Sequence, residues 1–536
     1  MKVASVFLGL GILFFTHIGS RPLANPDEGR YASMGLEMVQ TNDWIVPRLN
    51  GLIYFEKPPL AYWSIALGQK LFGETLLGSR FFNALFSLLT CLSLYLFCNK
   101  FLSKKVALWA AFIYGSSALP FGMSQMLTLD NALTFFLTAT LLLFASGFLT
   151  EDPKQSKHLF LWAYAFMAFT VLTKGLIGIV FPGLIGGIWL CYTGHIRKLP
   201  KAHLVKGLLL FFLIAAPWHL LVQQRHNCFF NFYFWHEHFE RYLTSVHNRT
   251  KPLYFLPLSF LIGLIPWLFF LPRTLHASLK QSKTTLEKHV ISFSLIWTIC
   301  ILGFFTYSKS QLIPYILPAI SGVTILMAFG ITKLDLKKTK IESILWAISF
   351  IVAACVLSKV LAKKALVPVP SYLILLAQTI IISGSLIALC HIKNKPLRSF
   401  YSLLGTTLLI YILLPIYLPY CQRLCGQNIC EYIRKQSSEK VDVFCAYNYF
   451  NDLPFYLKQT VGTIDCVPEE HELGYKEQHP KAYMSSHDFR KRLQASERCY
   501  AVVKRGQEAY FESVMSNYPI YKLTQDPYFS LYSNQP

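Results

Sequence analysis

The sequence predicts an α-helical polytopic membrane protein of about thirteen transmembrane helices, followed by a small α/β domain. The first observation is composition: 54% of the 536 residues are hydrophobic and only 15% are charged, whereas soluble proteins carry roughly 25% charged residues. The second is that apolar runs long enough to cross a bilayer recur up to residue 420. The third is that residues 421–536 are polar. We therefore divide the chain into a membrane domain, 1–420, and a soluble domain, 421–536.

The apolar runs define the membrane helices. A transmembrane helix needs about 20 apolar residues, and a sliding window selects 3–19, 76–98, 105–122, 131–149, 159–173, 175–193, 205–222, 253–272, 291–306, 312–331, 343–362, 370–390 and 398–420. Segments 159–173 and 291–306 are the shortest. The first segment lacks the small-residue cleavage site of a secretory signal, so we expect it to remain as a helix.

The net charge of +22 is explained by topology rather than by nucleic-acid binding. Lysines and arginines cluster in alternate loops, near residues 100–105, 197–201, 273–288, 333–340 and 393–398. The positive-inside rule places these loops, and with them the N-terminus, in the cytoplasm. The loops at 20–75 and 223–252 and the domain after residue 420 then face outward, where their charges need another explanation.

The loop at 20–75, which we call the first outward loop, is rich in charge. It contains ANPDEGRYASMGLEMVQTNDWIVPRLNGLIYFEKPPLAYW. Asp27, Arg30 and Tyr31 share one helical face by their three-and-four spacing, an arrangement suited to substrate contact. In the alternative interpretation, Asn25 caps the helix and the acids only complement its dipole.

Other outward charges allow two interpretations each. Lys57 precedes two prolines, which favour an extended backbone, and it could bind a phosphate or reach lipid headgroups. Asp130 and Lys174 lie at outer helix ends, where dipole effects or lipid contact could also explain them. In the second outward loop His238 and Arg241 share a face, but the two-apart His236 and His238 do not form the zinc-protease pattern.

The soluble domain is expected to be a mixed α/β fold. The runs VDVFCAYNYF, RCYAVVKR and YPIYKLT are typical of strands. Its six cysteines could pair in an oxidising compartment, but the sequence alone selects no pairing. Neither a Gly-rich phosphate loop nor a nucleophile elbow is present in this domain.

Outside the cytoplasm neither ATP nor nucleotide sugars are ready donors, so a sugar donor there is most simply carried on a lipid. A polyprenyl phosphate sugar needs an apolar groove, cations for its phosphate and carboxylates for its sugar. The outward charges of this chain supply the last two.

The first outward loop resembles a known family. ANPDEGRYA followed by NDWIVPRLNGLIYFEKPPLAYW is similar to the first periplasmic loop of the aminoarabinose transferases of lipid A, which are GT-C glycosyltransferases related to protein O-mannosyltransferases. The resemblance is dense over residues 22–83 and weaker at LTLD, LTKG and WHEHFERYL. It implies a GT-C fold in a bacterial inner membrane, an undecaprenyl phosphate donor carrying 4-amino-4-deoxy-L-arabinose, and a phosphate of lipid A (lipopolysaccharide) as acceptor.

The resemblance also implies roles for individual residues. It makes Asp27, with Glu28 beside it, catalytic, and assigns the donor phosphate to Arg30, Lys57, Lys174 and Lys309. Glu56 and His238 match metal-binding positions, for which zinc is expected, and the cavity is lined by Tyr31, Tyr54, Asp130, Arg241 and Tyr315. Gln311 stands where the family usually has a lysine, which leaves Lys309 to substitute.

Three alternatives remain open on the sequence. Relatives with the same loop transfer other sugars, such as galactosamine or galacturonate. A protein O-mannosyltransferase would use a Ser/Thr acceptor and would need Asp27 as a true base. A transporter of lipid-linked sugars predicts buried mid-membrane charges and internal repeats, whereas the charges here lie at helix ends.

Overall fold

The computed structural model describes residues 2–240, 251–364, 368–421, 425–436, 440–495 and 497–536. Each of the thirteen predicted segments is helical: Val3–Phe15, Leu76–Phe101, Lys104–Ser116 with Ala118–Gln125, Asp130–Leu149, Pro153–Lys174, Ile177–Tyr192, Leu204–Arg225, Phe255–Gly263 with Trp267–Phe270 and Leu271–Gln281, Thr285–Thr306, Ile313–Ile316 with Leu317–Lys333, Lys340–Lys364, Ser371–His391, and Pro396–Cys421.

Eight of these helices are long and apolar enough to cross a membrane, or up to ten if each bent pair is one span. The bends are 59° at Ser117, between Lys104–Ser116 and Ala118–Gln125, and 99° between Phe255–Gly263 and Trp267–Gln281. The two segments that looked short in the sequence lie within helices of 22 residues each. The predicted polytopic helical fold is confirmed.

Two helices form the centre of the membrane domain. In the most apolar stretch of Asp130–Leu149, 78% of the residues are buried, and in that of Ile313–Lys333 the share is 89%. In Ser371–His391 it is only 17%. The Thr138 hydroxyl donates to Ser321 Oγ at 3.1 Å between these two helices. Small residues allow close packing as well, since a Cβ on Gly330 would lie 2.1 Å from the Thr274 carbonyl oxygen.

The first outward loop folds into the helix Asp27–Thr41, a two-stranded hairpin of β1 (Arg48–Leu49) and β2 (Leu52–Ile53), and the helix Leu60–Phe72. Asn25 does not cap the first of these helices, contrary to the alternative considered above. Its side-chain amide instead donates to Asp452 Oδ1 at 2.6 Å.

The soluble domain is a six-stranded sheet with helices packed against it, so the predicted α/β fold is confirmed. The strands are β3 (Asp442–Ala446), β4 (Gly462–Ile464), β5 (Tyr483–Met484), β6 (Cys499–Lys504), β7 (Tyr521–Gln525) and β8 (Phe529–Ser533), and the helices are Gln427–Gln436, Leu453–Leu457, Glu472–Gln478, Ser486–Leu493 and Glu508–Val514. The strand order is β5-β4-β3-β6-β8-β7. Strands β3 to β6 pair in parallel, and β8 pairs antiparallel with both of its neighbours, β6 and β7.

Alternation along the strands gives this domain two apolar cores. Val443 and Cys445 of β3 pack on one face, and Phe444 and Ala446 pack on the other, as the period of two in a strand requires. Among the cysteines of the domain whose side chains the structure describes, Cys425, Cys430, Cys445, Cys466 and Cys499 carry free thiols.

The soluble domain sits directly on the first outward loop. Asn50 exchanges two hydrogen bonds of 2.8 Å with the backbone of Val461, and Ser33 donates to the carbonyl of Asn451 at 2.8 Å. A Cβ on Gly29 would lie 2.6 Å from the backbone nitrogen of Asp452. Only glycine therefore lets the helix Asp27–Thr41 approach this closely.

Candidate active site

Charged groups from three segments of the chain act electrostatically on the Tyr31 phenol. Asp27 is exposed at the start of its helix, and Tyr31 lies one turn further on and is half-buried. Burial is the main reason that the pKa of the Tyr31 phenol is raised. The charged groups that act on this phenol come from three segments of the chain: Asp27, Arg30, Asp130 and Glu56.

Arg30 links this group to the soluble domain. Its side chain is 15% exposed, and Nη2 donates to Glu470 Oε1 at 3.4 Å. Burial alone would lower the pKa of Arg30, but Tyr54, Tyr31 and Glu470 raise it, so the guanidinium stays charged. Nε of Arg30 is shielded from solvent and has no hydrogen-bond partner among the described residues. One donor of this cationic group is thus left unsatisfied within the described part of the chain.

A second cation is held where the two central helices begin, at Asp130 and near Tyr315. Lys174 Nζ donates to Asp130 Oδ1 at 2.5 Å, and each side chain is 12% exposed. The same ammonium lies 4.3 Å from the ring centroid of Tyr315, within cation–π range. The structure therefore brings these three predicted residues together, but it gives Lys174 a carboxylate partner rather than an open position.

The remaining predicted cations differ in their surroundings. Lys57 is half-buried and donates to the carbonyl oxygen of Glu56 at 2.6 Å. Lys309 is exposed in the turn before Ile313. Gln311 is buried there, and its amide donates to the carbonyl oxygens of Thr306 at 2.8 Å and Ser308 at 3.2 Å. The glutamine at the family's lysine position therefore holds the turn.

The structure describes only part of the second outward loop, residues 223–252. The π-helix Asn231–Glu240 is present, but Arg241 and the side chain of His238 lie outside the described residues. Within the described part of the chain, no group of three or more His, Cys, Asp and Glu side chains could hold a metal ion. Glu56 alone is not a metal site, so zinc at Glu56 and His238 stays a prediction.

Glu28 corrects one expectation. Its side chain is fully buried, and its carboxylate is bridged by Arg21 at 2.7 Å and Arg80 at 2.9 Å. Backbone N–H groups of Ala24 and Leu127 also donate to it, each at 2.8 Å. Burial alone would raise the pKa of Glu28, but the two arginines outweigh it and lower the pKa to about 2. A carboxylate enclosed in this way is a positioning group rather than a reacting one.

Sequence reasoning missed the contribution of the soluble domain. Burial alone would raise the pKa of Glu470, but Arg30 and the Asn451 amide lower it. The adjacent His471 is buried, which lowers its pKa to about 4, and it shares a 2.6 Å hydrogen bond with the Tyr483 hydroxyl. No motif marks Glu470. Arg80 did have a signal, because a charged residue inside an apolar span needs a partner.

The helical membrane domain, the charged outward loop and the α/β domain seated on that loop define the GT-C class of membrane glycosyltransferase folds. The chain superposes with a TM-score of 0.88 on the crystal structure of ArnT from Cupriavidus metallidurans bound to undecaprenyl phosphate, covering 99% of this chain and 98% of that one at 23% identity. The archaeal oligosaccharyltransferase AglB from Archaeoglobus fulgidus matches at a TM-score of 0.52 and 13% identity, over 96% of this chain and 71% of that one.

Comparison of sequences identifies named relatives in addition to the shared fold. A family model described as dolichyl-phosphate-mannose-protein mannosyltransferase matches residues 56–220. The undecaprenyl phosphate-alpha-4-amino-4-deoxy-L-arabinose arabinosyl transferase of Aeromonas hydrophila is 33% identical over 336 residues, which are 61% of this chain and 60% of that protein. The protein of the same name from Shewanella sediminis is 29% identical over 60% of this chain and 58% of its own length. The predicted resemblance is confirmed, over less than two thirds of the length of these relatives.

Proposed function

We propose that this chain is an inner-membrane glycosyltransferase that moves 4-amino-4-deoxy-L-arabinose from undecaprenyl phosphate to a phosphate of lipid A. Its N-terminus lies in the cytoplasm, and its soluble domain lies in the periplasm. The names of the relatives support the donor and the sugar, and the undecaprenyl phosphate bound to the ArnT structure supports the lipid carrier.

The observation that carries the proposal is the convergence at Tyr31. Asp27, Arg30, Glu56 and Asp130 act on one phenol although they are spread over about a hundred residues. Carboxylates suit the hydroxyl and amino groups of a sugar, and a guanidinium suits a phosphate. A site of this composition at the outer ends of membrane helices fits a donor whose tail lies in the bilayer.

The transfer exchanges one bond at the anomeric carbon for another. An oxygen of the acceptor phosphate attacks C1 of the sugar, and the bond between C1 and the donor phosphate oxygen breaks. Undecaprenyl phosphate leaves with the electron pair and gains negative charge. Arg30 and Lys57 are proposed to stabilise that charge, and a fixed cation in a partly buried site is effective at this because it needs no reorganisation.

Lys174 and Lys309 have supporting roles in this proposal. Lys174 is already bound to Asp130, so it acts on the donor phosphate as one part of a charged pair. Lys309 is exposed beside the segment that carries Tyr315 and supplies positive potential at the entrance. The cavity wall is proposed to be completed by Tyr31, Tyr54, Asp130, Arg241 and Tyr315.

Asp27 is the proposed catalytic carboxylate. It is exposed, in contrast to the enclosed Glu28, and can therefore reach substrate. A phosphate acceptor is already ionised and needs no base, so Asp27 would orient the sugar and stabilise positive charge that develops at C1. Glu56 and His238 are proposed to hold a divalent metal, for which zinc analysis of the purified chain is the measurement.

A second function is favoured by one observation. The family model that matches residues 56–220 describes transfer of mannose to proteins. A protein hydroxyl would have to lose a proton, and Asp27 would then act as a general base. The two functions differ in acceptor, so the product distinguishes them.

Mass spectrometry of lipid A tests the proposal directly. Cells that express the wild-type chain should carry lipid A heavier by one aminopentose on a phosphate, and cells that express Asp27→Asn should not. An unchanged lipid A together with newly glycosylated protein would overturn the first function in favour of the second. Gln40→Ala, an exposed change on the same helix, is the matched control.

A further inference from the structure

A second cavity lies at the membrane face opposite the candidate active site. It has a volume of about 670 Å³ and is formed where the helix Ile177–Tyr192 ends and the helix Thr285–Thr306 begins. Lys174 precedes the first of these helices at the outer face, so Tyr192 is at the other end of the span. Pockets for small ligands range from about 300 to 1,000 Å³. The cavity is therefore large enough for a headgroup and the start of its chains.

The lining of this cavity changes from polar to apolar with depth. On the helix Thr285–Thr306 the lining residues share one face, in the order Thr285, Lys288, His289, Ile291, Ser292, Leu295 and Ile296. Lys288 and Leu295 are two turns apart, about 10 Å along the axis. The polar Thr285, Lys288 and His289 lie at the start of the helix, and the apolar Leu295 and Ile296 lie deepest, which matches the polarity profile of one membrane leaflet.

The polar end of the cavity is positively charged. Lys288 is exposed and has no ion pair within the described parts of the chain. Glu287, the acid on the same turn, is engaged in a capping box with Thr284 and faces Lys333 at 3.7 Å. Glu287 therefore does not neutralise Lys288.

A histidine pair lies at the polar end of the cavity. The rings of His195 and His289 lie edge to face with their centroids 4.7 Å apart, and His195 stacks on Trp189 at 5.9 Å. His195 is buried and lies outside the cavity lining, and it packs against His289, which belongs to that lining. Lys288 and His289 therefore supply the donors for a ligand with several acceptor oxygens.

We propose that this cavity binds the phosphate-bearing headgroup of an anionic lipid, with its upper acyl chain along Leu295 and Ile296. The lipid comes from the leaflet opposite the candidate active site, so this site is separate from that of the proposed donor. The general basic excess of that face attracts anionic lipids without any site. Affinity for the lipid at the cavity has to exceed this general attraction.

Native mass spectrometry of the full-length chain tests the proposal. The chain is released from phosphatidylcholine nanodiscs that contain a few per cent of phosphatidylglycerol, and the retained phosphatidylglycerol is measured. Lys288→Ala should lower its affinity more than about ten-fold. Lys393→Ala removes an exposed lysine from the same face, outside the cavity lining, and should cost at most about five-fold. Equal losses in the two variants would overturn the proposal.

A second variant separates a lipid from free phosphate. Ile296→Trp fills the apolar end of the cavity without changing its charge, and it should block phosphatidylglycerol while leaving binding of inorganic phosphate unchanged. If phosphatidylglycerol binds Ile296→Trp as it binds the wild type, the chain-binding half of the cavity is not used and the lipid proposal fails. Thermal unfolding of each variant checks that the fold is intact.

Discussion

Two adjacent acids at the start of one helix have different surroundings. Asp27 is exposed beside Tyr31, whereas Glu28 is enclosed by Arg21 and Arg80. Neighbouring positions on a helix point about 100° apart, so Asp27 is exposed while Glu28 faces the interior. The pair DE in the sequence thus combines a candidate reacting group with an anchor.

This difference predicts opposite outcomes for two conservative substitutions. Asp27→Asn should abolish sugar transfer and leave folding unchanged, because this exposed side chain makes no buried ion pair with any residue that the structure describes. Glu28→Gln should lower the free energy of unfolding by about 3–5 kcal/mol, because two buried arginines lose their shared charge partner. Transfer assays on purified chain and thermal unfolding measure the two effects. Full activity of Asp27→Asn would remove this carboxylate from the chemistry.

At the scale of elements, the soluble domain takes part in the candidate site. The segment before the helix Glu472–Gln478 carries Glu470 to Arg30, and the backbone of Asn451 and Asp452 contacts the helix Asp27–Thr41. In the proposed function, Glu470 orients Arg30 and also competes with the donor phosphate for it. We treat Glu470 as a positioning residue.

Glu470→Gln separates these two effects in the steady-state constants. The turnover number should fall about ten-fold, which corresponds to about 1.4 kcal/mol in the barrier, because Arg30 is less well oriented. The KM for the donor should stay unchanged or fall, because a competing negative charge is gone. Gln40→Ala also removes a contact with the soluble domain, at the carbonyl of Lys458, and should change neither constant. A rise in KM alone would contradict this role.

Sequence patterns predicted the elements better than their contacts. Apolar runs of near 20 residues have one physical cause, the thickness of the bilayer, and so each predicted span is helical, although two of them are bent pairs of helices. The three strand runs of the soluble domain became β3, β6 and β7. Glu470 could not be predicted, because its contact with Arg30 spans 440 residues and depends on how the two domains dock. The enclosure of Glu28 was hidden because Arg80 lies in a different helix.

At the scale of the whole molecule, two buried groups near the domain contact titrate with opposite sign. Asp452 accepts hydrogen bonds from Asn25 and Gly426, and burial raises its pKa to about 6. His471 is held neutral with a pKa of about 4, next to Glu470 and Arg30. As pH falls from about 6 to about 4 the folded chain gains a proton at Asp452, which stabilises it. Over about the same range the unfolded chain gains one at His471, which destabilises the fold.

Removing one of these two groups should reveal the effect of the other on the pH dependence of stability. Relative to the wild type, Asp452→Asn should lose up to about 3 kcal/mol more stability between pH about 6 and about 4, because proton uptake by Asp452 no longer offsets the His471 effect. His471→Gln should shift the profile in the opposite direction, so that the variant loses less stability on acidification than the wild type. The wild type should lie between the two. Parallel pH profiles for all three chains would contradict the assignment.

The buried ion pairs of Glu28 with Arg21 and Arg80 also fix the position of Asp27 relative to a membrane helix. Arg80 belongs to the first turns of the helix Leu76–Phe101, and Glu28 is adjacent to Asp27, so the exposed carboxylate is tied to the rim of a membrane span. Its distance from the lipid surface is consequently fixed by the protein and does not depend on the substrate. In the proposed function, an acceptor has to present its nucleophile at the same depth. A lipid A phosphate lies among the headgroups and does so without leaving the leaflet, whereas a serine of a folded protein would have to move to that depth.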